Sequence, residues 1–332
     1  MEPLRGEGGQ VSDLIVLLPV FNDWAVVTQL LPQLDDVLHG EGVRSEVLLI
    51  DDASTETPSA SLAQGPFASF DRVTVLTLRR NVGHQRAICV GLVHIFNEGG
   101  QKPILVMDGD GQDSPEDVPK LLDRFRSHRG THVVFASRSK RAEGPLFAVS
   151  YMLFVAFHYL LTGIKVRVGN FSVLPALALG RLVAAAETWN HYSASVFRSR
   201  LFWDMVTIPR AKRISGKSHM NYVALVTHGL SAISVFADIV GVRLLIASTG
   251  LIAMSLLTAA GVFAIRLGTD WAIPGWATYV SGLVLLTLLQ SLALCFLFVF
   301  ITLYSRSQIT FLPLRDAPYL IAAVERFYPD NE

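Results

Sequence analysis

The 332 residues are 51% hydrophobic and 17% charged, with a mean hydropathy of +0.41, which is too apolar for an ordinary soluble domain and puts part of the chain in a membrane. Twenty-eight basic residues offset 28 acidic ones, which removes any charge argument for a nucleic-acid partner. Cys89 and Cys295 stand far apart, without metal-ligand spacing or a disulfide framework, so both read as small buried apolar residues.

Residues 1–12 hold no apolar run behind a basic patch, so they are expected as a flexible polar tail and not a signal peptide. From Asp13 to about Ser137 the apolar runs LIVLLPV, EVLLIDD, RVTVLTL, ILVMD and HVVFAS alternate with helix-like stretches, among them DWAVVTQLLPQLDDVLHG and GHQRAICVGLVHIFNEGG. Continuous apolarity marks strands covered on both faces, hence an α/β, mostly parallel sheet of nucleotide-binding layout. Ligands of such sheets bind outside the carboxyl ends of the strands, where PVFND, IDDAS, RRNVGHQRA and MDGDGQD all fall.

Two later segments are ambiguous. Residues 145–164 are long enough to span a bilayer, but a span would part the basic residues at 210–217 from the acids at 108–117, so an interfacial helix is expected. Residues 219–240 carry His219, Asn221, His228 and Asp238 and read as a second interfacial, amphipathic helix. Residues 244–265, between Arg243 and Arg266, contain no charged side chain; as a helix they reach about 33 Å, enough for a bilayer core of about 30 Å. Residues 276–304 are uncharged as well, and GTDWAIPG between the two stretches supplies a turn and an interfacial Trp271. A transmembrane hairpin over 241–305 is expected, followed by a cytoplasmic tail, 306–332. Arg210, Lys212, Arg213, Lys217, Arg243, Arg306 and Arg315 flank it, against Arg266 alone in the connection, so both termini are expected in the cytoplasm of a multi-pass inner-membrane protein.

The acids in ILVMDGDGQDSPED need a separate reason. Asp108, Asp110 and Gln112 alternate along an extended chain, and glycines at 109 and 111 leave room for a bulky ligand beside the backbone. Oxygen ligands of this kind suit Mg²⁺ or Mn²⁺ shared with a nucleotide diphosphate. A helix N-cap accounts for the later residues, with Ser114 or Asp113 capping a helix that starts at Pro115, but not for Asp108 and Asp110.

VLLPVFND, VLLIDDAST, LRRNVGHQRAICVGL, ILVMDGDGQDSPED, VVFASRS and RISGKSHMN resemble, in order and spacing, the motifs of glycosyltransferase family 2, specifically its dolichol-phosphate mannose synthase-like polyprenyl-phosphate transferases. The resemblance implies a GT-A catalytic domain over 13–218. It also implies an inverting transfer of a sugar from a nucleotide-sugar donor to a polyprenyl phosphate at the membrane. By motif position, Pro19, Asn22 and Asp23 would lie at the nucleotide base, although Phe21 and Asp23 replace the usual tyrosine and glutamate. Asp51 and Asp52 would contact base and ribose; Asp108, Asp110 and Gln112 would hold the metal; Arg138, Arg213 and Lys217 would face the phosphates. The plainer alternatives are a helix cap for Asp23, a solvated strand end for Arg138 and a lipid-headgroup contact for Lys217. One departure stands out. Where many relatives carry acids, RVGNFSV places Arg167 and Asn170, which puts an essential side-chain base in doubt. A phosphate monoester needs positioning more than deprotonation.

A processive polysaccharide synthase is disfavoured by the lack of Q-x-x-R-W and of further apolar spans, and a dinucleotide oxidoreductase by the lack of G-x-G-x-x-G after the first strand. An inactive membrane scaffold would fit substituted metal acids, and these are intact. A homo-oligomer is compatible with the sequence, which fixes neither sugar, nucleotide nor polyprenol length.

Overall fold

The computed structural model describes residues 13–58, 65–138, 145–164, 168–208, 229–269, 275–307 and 311–329. The chain divides into two compact units, one built on a sheet and the other holding Ser150–Lys165 with Phe236–Thr310.

In the first unit, β1 (Leu14–Val20), β2 (Ser45–Asp51), β3 (Phe70–Leu78) and β4 (Ile104–Val106) are mutually parallel, as the continuous apolar runs require. Side chains on a strand alternate between faces, and here both faces are covered. Leu14, Val16, Leu18 and Val20 of β1 pack with Val27, Leu30, Leu34 and Leu38 of α1 (Trp24–Gly40). Ile15 and Leu17 point the other way, into the cluster with Ile88, Leu92 and Ile95 of α2 (His84–Asn97). Further helices of this unit are, among others, α3 (Val118–Ser127), α5 (Ala176–Ala184) and α6 (Tyr192–Arg198). Between β5 (Val133–Arg138) and β6 lies α4 (Pro145–Thr162).

The strand order is β7-β5-β6-β4-β1-β2-β3-β8, where β6 is Ser172–Leu174, β7 is Trp203–Ile208 and β8 is Ile321–Tyr328. Since β2 lies on one side of β1 and β4 on the other, the winding reverses between β1 and β4. A crevice at the carboxyl ends of these two strands is where α/β sheets bind ligands. β6 runs antiparallel to both β4 and β5, so β5 and its parallel neighbour β7 also present their carboxyl ends on the site's edge. The expected mostly parallel GT-A layout is the one observed.

Three expectations need correction. Residues 306–332 are not simply a tail, because β8 pairs antiparallel with β3 and closes that edge of the sheet. Just before it, the Phe311 ring stacks on Trp189 at 3.8 Å, and Ala317 is fully buried. IAAVERFY carries Glu325 and Arg326 and is largely exposed, so it lacks the continuous apolarity that revealed the inner strands. The second correction is that the first long helix begins at Ala237, so 237–240 belong to it and not to the expected interfacial helix, of which 219–228 lie outside the described residues. The third concerns the helix expected at Pro115. Pro115–Asp117 form a 3-10 turn that leads into α3 at Val118, and Ser114 makes no side-chain cap.

In the second unit, helices Ala237–Gly268 and Trp276–Ser307 pack along a seam of small residues. Ser248, Ser255 and Val262, spaced by seven, are buried on the first and Ser291 on the second. Outside the seam their apolar side chains are exposed, Leu257 to 73% and Phe300 to 68%, unlike core helices of a soluble protein. Among the described residues these two helices are long and apolar enough to cross a membrane. α4 also exposes an apolar stripe, Met152, Phe157, Tyr159 and Leu160, while His158 and Thr162 are buried. Arg243 Nη1 donates to the Leu160 carbonyl at 2.8 Å, which ties the end of α4 to the first long helix.

Candidate active site

Four loops leave the carboxyl ends of β1 to β4 and are cross-linked by side chains. Asn22 follows β1 in the left-handed region, at φ 57°, and its Oδ1 accepts N–H groups from Thr55 at 2.9 Å and Glu56 at 3.3 Å, while its own N–H donates to Ser54 Oγ. Asp23 precedes α1 but does not cap it with its side chain, so the plain capping alternative does not hold. Asp51 Oδ1 accepts the Ser54 N–H at 2.9 Å, which shapes the loop after β2. Asp52 is buried, and its two oxygens accept the N–H groups of Val82 and Gly83 at 2.7 and 2.8 Å. Burial raises its pKa, the two N–H bonds oppose that rise, and neighbouring Asp51 adds to it. Asp52 therefore acts within the fold, fixing the entry to α2. Phe21 is 44% exposed beside Asn22 and offers an aromatic face at this edge.

The acidic motif follows β4. Gly109 serves packing more than ligand access, since a Cβ there would lie 2.8 Å from the Pro19 carbonyl oxygen, so only glycine lets the motif lie against β1. Gly111, at φ 73°, then turns the chain. The turn is held by the Gln112 N–H, which donates to Asp110 Oδ1 at 3.0 Å, and by the Asp108 N–H, which donates to Asp113 Oδ2 at 2.9 Å. Asp113, expected as a cap, is instead a fully buried brace for Asp108. Asp108, Asp110 and Gln112 remain half-buried at the edge.

Two site residues, His84 and Gln85, escaped the sequence reading, and Asn170 was singled out there only for standing at an acidic position of the resembled family. His84, at the first turn of α2, feels the Asp110 charge; desolvation lowers its pKa and Asp110 works against that shift. Asn170 Nδ2 donates to Asp108 Oδ1 at 3.1 Å, and Gln85 Nε2 donates to Asn170 Oδ1 at 2.8 Å. The only hint was that GHQRA falls at the carboxyl edge. Arg138 closes β5 on the same edge, and β7 ends there at Ile208. Arg167, Arg213 and Lys217 lie outside the described residues.

The oxygen donors Asp108, Asp110 and Gln112 suit a hard divalent cation. Among the described residues no group of three or more His, Cys, Asp or Glu forms a protein cage, so a cation held here would complete its shell with water and ligand oxygens.

The glycosyl transferase family 2 profile matches residues 15–218, well over half of the chain. The chain belongs to this family. Among curated relatives, an undecaprenyl-phosphate 4-deoxy-4-formamido-L-arabinose transferase of Klebsiella pneumoniae (strain 342) is 30% identical over 133 residues, 40% of this chain and 39% of that protein. The match thus spans about two fifths of that relative's length. An uncharacterized glycosyltransferase of Bacillus subtilis (strain 168), YkcC, is 24% identical over 291 residues, 82% of this chain and 85% of its own. Of solved structures, glucosyl-3-phosphoglycerate synthase from Mycobacterium tuberculosis with phosphoglyceric acid superposes with a TM-score of 0.48 at 16% identity, covering 69% of this chain and 80% of that one. With Mn²⁺, uridine diphosphate and glucosyl-3-phosphoglycerate bound, the same synthase superposes with a TM-score of 0.47 at 16% identity and the same coverage.

Proposed function

We propose that this family member transfers a sugar from a nucleotide-diphosphate sugar to a polyprenyl phosphate at the cytoplasmic face of a membrane, with inversion at the anomeric carbon. The observation that carries the reading is the placement of Asp108 and Asp110 at the reversal between β1 and β4, in a chain that also holds two long apolar helices. The polyprenyl-phosphate acceptor named for the Klebsiella relative points the same way.

In this reading Phe21 and the Asn22 loop receive the nucleotide base, with Pro19, Asp23 and Asp51 around it. Asp108, Asp110 and Gln112 would hold Mg²⁺ or Mn²⁺, which supplies charge neutralisation for the departing diphosphate. Arg138 serves the donor phosphates; Arg213 and Lys217 hold the acceptor phosphate. An acceptor oxygen forms the new bond to the anomeric carbon as the bond to the diphosphate oxygen breaks, and the nucleoside diphosphate leaves with that electron pair. A phosphate anion needs no deprotonation. Asn170 is a neutral amide with both polar atoms engaged, which supports a transfer without a side-chain base at this position.

The sheet supports the membrane topology. β5 and β6 share one sheet, so α4 between them does not make a single crossing, and its exposed stripe suits the bilayer surface. β8 shares that sheet too, so the chain between β7 and β8 crosses an even number of times, as a hairpin does. The reading is tested by incubating membranes containing the protein with labelled nucleotide-sugars and weighing the lipid product. A polyprenyl-phosphate sugar is expected; label transferred only to water or to a soluble acceptor overturns it.

A further inference from the structure

The amide of Asn170 forms one link in a chain of hydrogen bonds whose direction is set far from the acids. Its fixed end is the backbone N–H of Tyr192, which only donates, and it donates to Gln85 Oε1 at 2.8 Å. Gln85 must therefore turn its NH₂ toward Asn170, where Nε2 donates to Oδ1 at 2.8 Å. Asn170 in turn must point its NH₂ at Asp108, and Nδ2 donates to Oδ1 at 3.1 Å. Neither amide can flip without setting N–H against N–H or oxygen against oxygen. The chain is also shut away from water, because Gln85 is 7% exposed, Asn170 6% and Tyr192 0%. A second path anchors the same residues: Ser172 Oγ donates to the Asn170 carbonyl at 2.8 Å and meets the Tyr192 hydroxyl at 2.9 Å.

We infer that Asn170 and Gln85 are positioning residues that deliver an N–H donor to the Asp108 carboxylate and so fix its orientation for the divalent cation. The inference rests on the metal reading above and adds the two amides to it. One oxygen of Asp108 is occupied by a donor whose place is set by α2, α6 and β6, and its backbone is braced by Asp113. The carboxylate is thereby preorganised, and outer-shell partners of this kind typically account for about 10-fold or more in metal affinity. An ionised acid at position 170 would instead face Asp108 with an acceptor, which the neutral amide avoids.

The direction of the chain makes a distinctive test possible. In Gln85→Glu, measured at a pH high enough to ionise the buried side chain, the carboxylate still accepts the Tyr192 N–H, but it now requires a donor from Asn170, which must flip and turn its oxygen toward Asp108; the protonated side chain, by donating to Asn170 Oδ1, would mimic glutamine. The substitution is two hydrogen bonds removed from Asp108 and preserves shape. Mn²⁺ binding to the full chain in detergent, followed by the paramagnetic resonance of the free ion, is expected to weaken about 10-fold in Gln85→Glu and in Asn170→Ala. The double variant is expected to weaken no further than Asn170→Ala alone, since both break the same link. A merely structural role would lower the melting temperature and leave the Mn²⁺ constant unmoved. Unchanged Mn²⁺ binding in folded Gln85→Glu overturns the inference, even if Asn170→Ala fails to fold. No Mn²⁺ binding by the unsubstituted chain overturns the metal reading along with it, and a missing lipid product with the Mn²⁺ effect intact overturns only the proposed acceptor.

Discussion

The Asp113 carboxylate accepts the backbone N–H of Asp108 at 2.9 Å, so the first acid of the proposed metal site is braced by the third acid of the motif. Asp113→Ala leaves that N–H without its charged partner and is expected to cost about 2 kcal/mol of stability, together with most of the transfer activity. Asp110→Asn keeps an oxygen for the Gln112 N–H, so it should melt as the parent does while losing transfer. A chelator should stop the parent, and Mg²⁺ or Mn²⁺ should restore it but not Asp110→Asn. Denaturation and lipid-product assays on both variants check this; full activity of Asp110→Asn in chelator would refute the metal role.

Gly109→Ala is expected to be damaging for a reason unrelated to flexibility. Its Cβ would meet a strand carbonyl, Pro19 O, at 2.8 Å, and neither β1 nor the acidic loop yields cheaply. A loss of about 1–3 kcal/mol and a raised KM for the donor are expected. Gly40→Ala, at the end of α1 with nothing within 4 Å of the new Cβ, is the control and should be neutral or slightly stabilising.

For the acceptor side, Arg213→Ala and Lys217→Ala should each raise the lipid-acceptor requirement or slow transfer by about 10-fold, the worth of one charge-assisted hydrogen bond. The donor KM should stay near its parent value. Normal kinetics with the lipid in both variants would show that the acceptor phosphate is bound elsewhere.

The topology can be checked by labelling single cysteines with an impermeant reagent. Cysteines placed at Ser150, Lys217 and Glu325 should react on one side of the membrane, and cysteines between Thr269 and Gly275 on the other. Ending the chain before Ile321 should also lower the melting temperature, because β8 no longer covers the edge of β3. Labelling of Ser150 and Lys217 from opposite sides would contradict the surface placement of α4.

Acid should loosen the link between α3 and β7. Burial acts to raise the Asp204 pKa, but hydrogen bonds from His128, the Met205 N–H and Arg124 outweigh it and bring the group from 3.8 to about 2. A depressed carboxyl pKa stabilises the fold above the unfolded value, so this contribution is present above about pH 4 and is lost as pH falls toward 2. Asp204→Asn should be less stable than the parent at neutral pH, and the difference should shrink toward zero near pH 2. A stability difference that does not vary with pH would argue against the ion cluster.

Local sequence patterns reveal those parts of this protein in which neighbouring residues carry the signal. Runs such as LIVLLPV and EVLLID announce buried strands because a strand covered on both faces must be apolar at successive positions. The two long helices are equally legible, since apolar residues on every side have no soluble partner to face. The D-x-D motif and the polar loops at strand ends were visible for the same local reason. Which loops meet depends on the order of strands in the sheet. β4 inserts beside β1 and not beside β3, and that choice brings Gly109 against Pro19 and Asp108 to Asn170, 62 positions away. β6 is three residues long and β8 is mostly exposed at an edge, so neither carries the periodicity that marks a strand until its neighbour is known. The orientation of the Gln85 and Asn170 amides likewise follows from one backbone N–H on α6, a contact between distant segments that no local pattern encodes.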